Sequence, residues 1–170
     1  MRKHACIRTW LVDDGRVTFP SESVPGRYRE PQTANAIAAV ATSFARFLGR
    51  PLVEAQSDVI AAMWQAPQVI LAHGTEPDPI FFFGNRAALD AFEIDLDAFL
   101  SMPSRLSAEA PLRDERQALL DRVSKHGFID NYAGVRISAT GRRFHIEQAV
   151  VWNVTDEIGE RIGQAATFVP

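Results

Sequence analysis

The chain has 170 residues, an apolar fraction of 46%, a charged fraction of 23% and a formal net charge of -3. This length matches one globular domain, the composition argues against disorder, and a weakly acidic chain exerts no long-range attraction on nucleic acid. The single cysteine, Cys6, excludes an internal disulfide and a multi-cysteine metal site. No apolar run approaches the ~18 residues that span a membrane, so we expect a cytoplasmic protein without a membrane partner.

The first 31 residues are predicted to form an appendage made of a hairpin and a linker. Cys6 to Val12 and Arg16 to Phe19 have strand character and are separated by a Gly-containing turn. Pro20 to Pro31 contains three prolines and Gly26, which is typical of a linker. The predicted division is therefore 1–31 for the appendage and 32–170 for the main domain with its helical flank.

Two helices are predicted to precede the sheet. Between Thr33 and Leu48 apolar residues recur at helical spacing, and the run ends at Gly49, a usual C-terminal stop. This apolar stripe must pack on the core or on another chain, so the helix 33–48 is a candidate contact for a homodimer or a protein partner. Ser57 to Gln65 is predicted to form a second, short helix that ends before Pro67.

From Gln68 the pattern changes to short strands. Val69 to Leu71 and Ile80 to Phe83 are apolar segments separated by turn-forming residues, which predicts an antiparallel pair. Asn85 is a favourable N-cap for a helix over the next seven residues, Arg86 to Phe92. Leu96 to Leu100 is predicted to form one further helical turn.

A longer helix and three strands are predicted to complete the chain. Pro111 suits the first position of a helix that runs to Lys125, and Gly127 follows as its stop. The predicted strands form a meander over Tyr132 to Ser138, Arg143 to Val154 and Arg161 to Val169. Strict alternation along the middle strand assigns to its core face Phe144, Ile146, Gln148, Val150, Trp152 and Val154. The fold class is therefore α+β, a five-stranded antiparallel sheet with helices on one face.

Four segments follow one another along the chain: His73-Gly-Thr-Glu-Pro-Asp-Pro79, Pro103-Ser-Arg-Leu-Ser-Ala-Glu109, Gly134-Val-Arg-Ile-Ser138 and Val151-Trp-Asn153. These segments resemble the MEKHLA domain family, and the order of elements resembles a PAS domain. That PAS-like family occurs as stand-alone bacterial proteins and at the C terminus of plant class three homeodomain leucine-zipper factors. The resemblance implies the stand-alone bacterial type, with a sensory or regulatory binding role and no assigned catalytic residues.

The resemblance also bears on flavin. By alignment, Ser104 lies where light-oxygen-voltage PAS domains carry the cysteine that reacts with flavin. A serine hydroxyl cannot replace the thiolate in that photochemistry, so we expect no photosensing of this kind, while non-covalent flavin binding stays open. Fold likeness does not name a ligand, so the cofactor is unknown from the sequence.

A small molecule is expected to bind in a cavity between the sheet and the helices. Aromatic side chains would line an apolar pocket, and guanidinium groups at its mouth suit a carboxylate or phosphate group of the ligand. The predicted ligand-binding residues are Phe81, Phe83, Arg105, Arg116, Tyr132, Phe144, Gln148 and Trp152. The plainer alternative is that the aromatic residues are core and that the arginines pair with the nearby carboxylates of Glu109, Asp114 or Glu115.

Together these features predict a sensory or regulatory module that signals through a partner or a dimer and is not an enzyme. One alternative is a protein-interaction or dimerisation module whose core is filled and holds no ligand. A second alternative is a small α+β enzyme that uses His145 and Glu147, which share a strand face, or His73. The four histidines form no metal-binding spacing, so no metal site is predicted.

Overall fold

The described part of the chain folds around one antiparallel sheet. The structure, a computed structural model, describes residues 23–54, 57–109 and 113–169. The strands are β1 (Val69–His73), β2 (Phe81–Gly84), β3 (Phe128–Ile137), β4 (Arg143–Thr155) and β5 (Arg161–Phe168). They pair antiparallel in the order β2-β1-β5-β4-β3, which confirms the predicted α+β class. The hairpin predicted between Cys6 and Phe19 lies outside the described residues and stays a prediction.

The α-helices follow the predicted order. Within the described residues they are α1 (Pro31–Leu48), α2 (Val59–Gln65), α3 (Arg86–Phe92), α4 (Leu96–Phe99) and α5 (Arg113–His126). Helix α1 ends at Gly49, whose left-handed φ of 68° is the conformation in which glycine closes a helix. The predicted start of α5 at Pro111 lies outside the described residues. No helix in the described ranges is long and apolar enough to cross a membrane.

Helices α1 and α5 cover opposite faces of β4. The ring of Trp152 packs edge-on against Phe44 of α1 at a centroid distance of 4.9 Å, and its Nε1 donates a hydrogen bond to the Val40 carbonyl at 3.1 Å. The neighbouring Val151 lies in a cluster with three apolar residues of α5. The apolar stripe of α1 is therefore buried on its own sheet. Dimerisation through the helix 33–48 stays a prediction that this stripe does not support.

A β-bulge in β4 interrupts the alternation of its side chains. Ile146 lies opposite Gly134, and Ala149 lies opposite Tyr132, so three steps along β4 correspond to two along β3. Gln148 lies in this bulge with a φ of 52°, in the left-handed region, and its side chain is exposed. After the bulge, each side chain of β4 therefore points to the face opposite to the one that strict alternation from Phe144 assigns to it.

The bulge corrects the predicted core face of β4. Ile146 before the bulge shares a cavity wall with Ala149 and Val151 after it, so these three side chains face α3 and α5. Trp152 faces α1 instead. The expectation that Gln148 and Trp152 share one face with Ile146 is wrong, because strict alternation holds only in a strand without an extra residue.

The segment predicted as a linker contributes Tyr28 to the core. Tyr28 lies in a short 3-10 turn, Gly26–Arg29, and its side chain is fully buried. Its hydroxyl donates to the Gly84 carbonyl at 3.0 Å and accepts from the Gly84 amide at 3.1 Å, and its ring lies 5.1 Å from that of Phe83. Burial raises the pKa of the Tyr28 phenol well above its usual value. The proline-rich composition around Tyr28 concealed a side chain that belongs to the domain.

Asn85 joins α2, β1 and α3 through its buried side-chain amide. Its Oδ1 caps α3 by accepting from the Ala88 amide at 3.0 Å, as predicted, and also accepts from the Ile70 amide at 3.0 Å. Its Nδ2 donates to the carbonyls of Met63, Ala66 and Gln68 at 3.1, 3.3 and 2.8 Å. One side chain therefore hydrogen-bonds to backbone groups of three elements at their buried junction.

We predict that Asn85→Ala lowers the free energy of unfolding by about 3 kcal/mol, because it removes a helix cap and leaves buried backbone groups unsatisfied. Asp95 offers a matched control, since its carboxylate caps α4 at 2.8 Å in an exposed position. Asp95→Ala should cost only about 1 kcal/mol. Urea unfolding of both variants measures the difference, and equal costs would contradict the role assigned to Asn85.

We predict that Gln148→Gly is neutral or stabilises the protein by up to about 1 kcal/mol, because glycine adopts a positive φ without a steric penalty. His145, an exposed residue of the same strand outside the set of positive-φ residues, is the matched control. His145→Gly should cost about 0.5–1 kcal/mol, since glycine weakens an ordinary strand position. Thermal unfolding compares the two, and an equal loss at both positions would exclude the left-handed bulge.

Candidate ligand site

An internal cavity lies between the sheet and helices α3 and α5. Its volume is about 40 Å³. Its apolar wall includes Leu71, Phe81, Phe92, Ile146, Ala149 and Val151. Its polar lining consists of His73, Ser107, Arg116, Tyr132, Arg136 and Gln164. A void needs roughly 10–15 Å³ to hold one water, so this space admits a few waters or one small ion.

Arg116 projects from α5 to this cavity and is 7% exposed. Among the described residues no carboxylate lies within ion-pairing distance of its guanidinium, and no hydrogen bond holds it. Burial, reinforced by the nearby charge of Arg136, lowers the pKa of Arg116 to about 10. The group is still a cation at neutral pH, and a charge this little exposed, with no acidic partner among the described residues, is costly unless water or a bound group solvates it.

A second buried arginine, Arg136 of β3, also lines the cavity and is 9% exposed. One of its terminal nitrogens donates to the Val135 carbonyl at 2.9 Å. Both terminal nitrogens lie 3.4 Å from the Tyr132 hydroxyl, the long end of the hydrogen-bonding range. Its carbon Cζ also lies 5.4 Å from the centre of the Tyr132 ring, a cation-π distance. Arg136 is therefore positioned by its own strand without a carboxylate.

His73 forms part of the cavity wall at the end of β1 and is 6% exposed. Its Nδ1 lies 2.9 Å from the Gly74 carbonyl, which can only accept, so Nδ1 carries the proton and donates. Burial lowers the pKa of His73 to about 4. The imidazole is therefore neutral near pH 7, and its Nε2 is left as a hydrogen-bond acceptor.

An outer cleft of about 270 Å³ adjoins the cavity on the side of the turn Gly74–Pro79. The two spaces share four lining residues, His73, Arg116, Leu120 and Gln164, so Arg116 stands between the cavity and the surface. Ser104 lines the cleft with a fully buried hydroxyl, the one buried side-chain polar atom in the described ranges that has no hydrogen-bond partner. The cleft therefore adjoins Arg116 from the side away from the cavity.

Three of the predicted ligand-binding residues, Phe81, Arg116 and Tyr132, line this cavity. Arg105 lies in the outer cleft, where its Nε donates to Asp78 at 2.9 Å. The predicted alternative of ion pairs with Glu109, Asp114 or Glu115 therefore does not describe Arg105 or Arg116. Binding by these side chains stays a prediction, since their positions alone do not test it.

The other predicted residues lie away from the cavity. Gln148 is exposed on the bulge, and Trp152 packs under α1 on the opposite face, so neither lines the pocket. Phe83 packs against Tyr28 at 5.1 Å, and Phe144 packs edge-on against Phe92 at 5.2 Å. The plainer interpretation as core residues describes the positions of Phe83, Phe144 and Trp152.

The residues of the predicted enzyme alternative do not converge. His145 and Glu147 are both exposed, and neither lines the cavity. In the described ranges no group of three His, Cys, Asp or Glu side chains is placed to hold a metal ion. His73 reaches the cavity, and Asp78 bonds to Arg105 rather than to this histidine.

Sequence reasoning missed Ser107, Arg136 and Gln164 as cavity residues. Arg136 had a usable signal, because it lies four residues from Tyr132 on the same predicted strand, and alternation places the two on one face. Gln164 had none, since its Nε2 binds the Leu120 carbonyl and Ser124 on α5, contacts that only the fold brings together.

A protein-family model described as the MEKHLA domain matches residues 34–170. Among curated proteins the chain is 28% identical over 120 residues to the homeobox-leucine zipper protein REVOLUTA of Arabidopsis thaliana, covering 68% of this chain and 14% of that protein. It is 34% identical over 102 residues to the homeobox-leucine zipper protein HOX32 of Oryza sativa subsp. indica, covering 58% and 11%. The chain thus spans a small part of these relatives' length. These matches are plant proteins and do not support the expected stand-alone bacterial type.

Solved structures of PAS-like domains share the fold. The PAS domain of a protein from Colwellia psychrerythraea superposes with a TM-score of 0.54 and 12% identity, covering 63% of this chain and 88% of that one. The photo-excited blue-light photoreceptor Vivid superposes with a TM-score of 0.53 and 12% identity, covering 76% and 92%. A flavin does not fit the cavity described above, because about 40 Å³ is far below the space of a cofactor site, roughly 300–1,000 Å³.

We predict that His73 makes the protein less stable in mild acid. Its pKa falls from 6.5 in the unfolded chain to about 4 in the folded one, so between these values only the unfolded chain binds the proton. The contribution of His73 is complete above pH 6.5 and is lost as the pH falls toward 4. The free energy of unfolding should therefore be about 2 kcal/mol lower at pH 5 than at pH 7 through this group.

Urea unfolding of the wild type and of His73→Gln at both pH values tests this expectation. The variant should lose that part of the pH dependence, whereas His145→Gln, at an exposed histidine, should retain it. The charged neighbours of His73 are Glu76, Arg116 and Arg161. Their effect on the pKa of His73 is smaller than the effect of burial. An unchanged pH dependence in His73→Gln would show that another group is responsible.

Proposed function

Because the chain belongs to the MEKHLA domain family and has a PAS-like fold, we propose that it is a regulatory module that binds a small molecule in the cavity beside α5. The observation that carries this proposal is Arg116, a buried cation at a cavity without a carboxylate partner among the described residues. Buried charges in folded proteins are normally paired, so a missing partner indicates a bound group of opposite charge. A non-enzymatic role fits this arrangement.

The module is proposed to signal through another protein or a second copy of itself. The relatives REVOLUTA and HOX32 are homeobox-leucine zipper proteins, and the matched region is 14% and 11% of their lengths. A regulatory domain of this size suits control of a larger assembly or a separate partner. A cytoplasmic location, with neither nucleic acid nor membrane as a direct partner, completes the proposal.

The second candidate is an interaction module whose core is filled and which binds no ligand. It is favoured by the cavity volume, since about 40 Å³ is small beside ordinary ligand pockets of roughly 300–1,000 Å³. In that case the guanidinium of Arg116 would be hydrogen-bonded by water alone. The two candidates predict different effects on ligand binding of a substitution that fills the cavity.

We predict that filling the cavity abolishes ligand binding without harming the fold. Ala149 is fully buried on the cavity wall, and Ala149→Val places two more methyl groups there in a residue suited to strands. A panel of small molecules of different charge, screened by thermal shift against the whole chain, should contain a class that stabilises the wild type. Affinity for that class should fall at least tenfold in Ala149→Val, whose own melting temperature should be equal or higher.

Ala133→Val is the matched control, because Ala133 is an exposed alanine on a strand of the same sheet. It should bind as the wild type does. If no compound stabilises the wild type, or if Ala149→Val binds equally well, the ligand-binding proposal is wrong and the filled-core interaction module is favoured.

A further inference from the structure

We propose that the cavity binds a small monocarboxylate, with its carboxylate held by Arg116 and its short apolar tail against the buried wall. This inference deepens the proposed function and rests on it. It names the chemical class of the ligand, which neither the family nor the fold specifies.

The charge of the lining selects an anion. The cavity is lined by two guanidinium groups, Arg116 and Arg136, and by no carboxylate. His73 adds no charge near pH 7 and offers Nε2 as an acceptor. A cationic ligand would add to the repulsion between the arginines, and a neutral ligand would leave both cations uncompensated. An anion supplies the missing counter-charge.

The donors of Arg116 suit a carboxylate. Since no protein group binds its guanidinium among the described residues, its two parallel N–H donors are available to a pair of oxygen atoms, and this two-pronged geometry is specific for planar oxyanions. Arg136 is partly engaged by the Val135 carbonyl and by Tyr132. Arg116 is therefore assigned as the direct ligand, and Arg136 as a second charge that strengthens binding at a distance.

The walls and volume of the cavity limit the rest of the ligand. Its apolar walls favour a hydrocarbon group, which inorganic phosphate and nitrate lack. About 40 Å³ admits only a few heavy atoms, which corresponds to an acid of the size of acetate or propionate. A second carboxylate would lie against Leu71, Phe81 or Phe92 without a partner, so dicarboxylates are disfavoured.

Access is through the outer cleft, whose lining shares Arg116, His73 and Gln164 with the cavity. Arg105 lies in this cleft but is held by Asp78 at 2.9 Å, and its side chain is 48% exposed. It is not needed to neutralise a ligand inside. Arg105 therefore provides a control arginine, close to the site and outside it.

Isothermal titration of the whole chain in a buffer free of carboxylates and chloride tests the inference. Propionate and acetate are the probes, propionamide is the neutral analogue of propionate, and succinate, phosphate and chloride are competitors. We expect propionate to bind the wild type, propionamide to bind at least tenfold more weakly, and the competitors not to displace propionate at equal concentration.

Variants of Arg116 provide the decisive comparison. Arg116→Met should reduce propionate affinity at least tenfold, Arg116→Lys should retain part of it, and Arg105→Met should leave it unchanged. The melting temperature of ligand-free Arg116→Met should equal or exceed that of the wild type, because replacing an unpaired buried charge by an apolar side chain of similar length relieves its desolvation cost. Loss of binding in that variant then cannot be ascribed to unfolding.

The outcomes separate this inference from the function on which it rests. If propionamide, a dicarboxylate or chloride binds as well as propionate, or if Arg116→Met binds propionate normally, the monocarboxylate assignment is wrong. If a compound of another class binds the wild type and is lost in Ala149→Val, the assignment fails while the regulatory ligand site stands. If nothing binds the wild type, both fail.

Discussion

The position of one extra residue in β4 determines which side chains can meet a ligand. Gln148 occupies a left-handed conformation, and the strand resumes its alternation one residue out of phase. Ala149 and Val151 consequently face the cavity, while Trp152 packs against α1. Without this bulge Trp152 would share the face of Ile146 instead of packing against α1. The small alanine that faces inward instead leaves the void open.

Helix α5 connects this cavity to the sheet. Its second half is held by amide side chains, since Asn153 donates to the Val123 carbonyl at 3.0 Å and Gln164 to the Leu120 carbonyl at 3.0 Å. Its first half carries Arg116, which no described residue binds. The helix is thus anchored at one end and has a charged group at the cavity near the other. A ligand at Arg116, as proposed, would contact the half of the helix that these two amide side chains do not hold.

The sequence predicted the elements well because each left a local signal. Asn85 caps α3 at its predicted start, and Gly49 ends α1 where the sequence places the stop. The site was predicted only in part. Phe81, Arg116 and Tyr132 reach the cavity, whereas Gln148 and Trp152 do not, because a bulge has no reliable signature in a strand without glycine. Gln164 gains its position from contacts distant in sequence, which no local pattern reveals.

The contact between Tyr28 and Gly84 has a consequence for the limits of the domain. The family match begins at residue 34. The amide and the carbonyl of Gly84 nevertheless both hydrogen-bond to the hydroxyl of Tyr28, which lies six residues upstream of that match. Gly84 immediately precedes Asn85, so the upstream turn reaches the junction where α2, β1 and α3 meet. The folded domain therefore extends upstream of the family match. A chimaera that carries this domain into another protein has to include the turn from Gly26 onward.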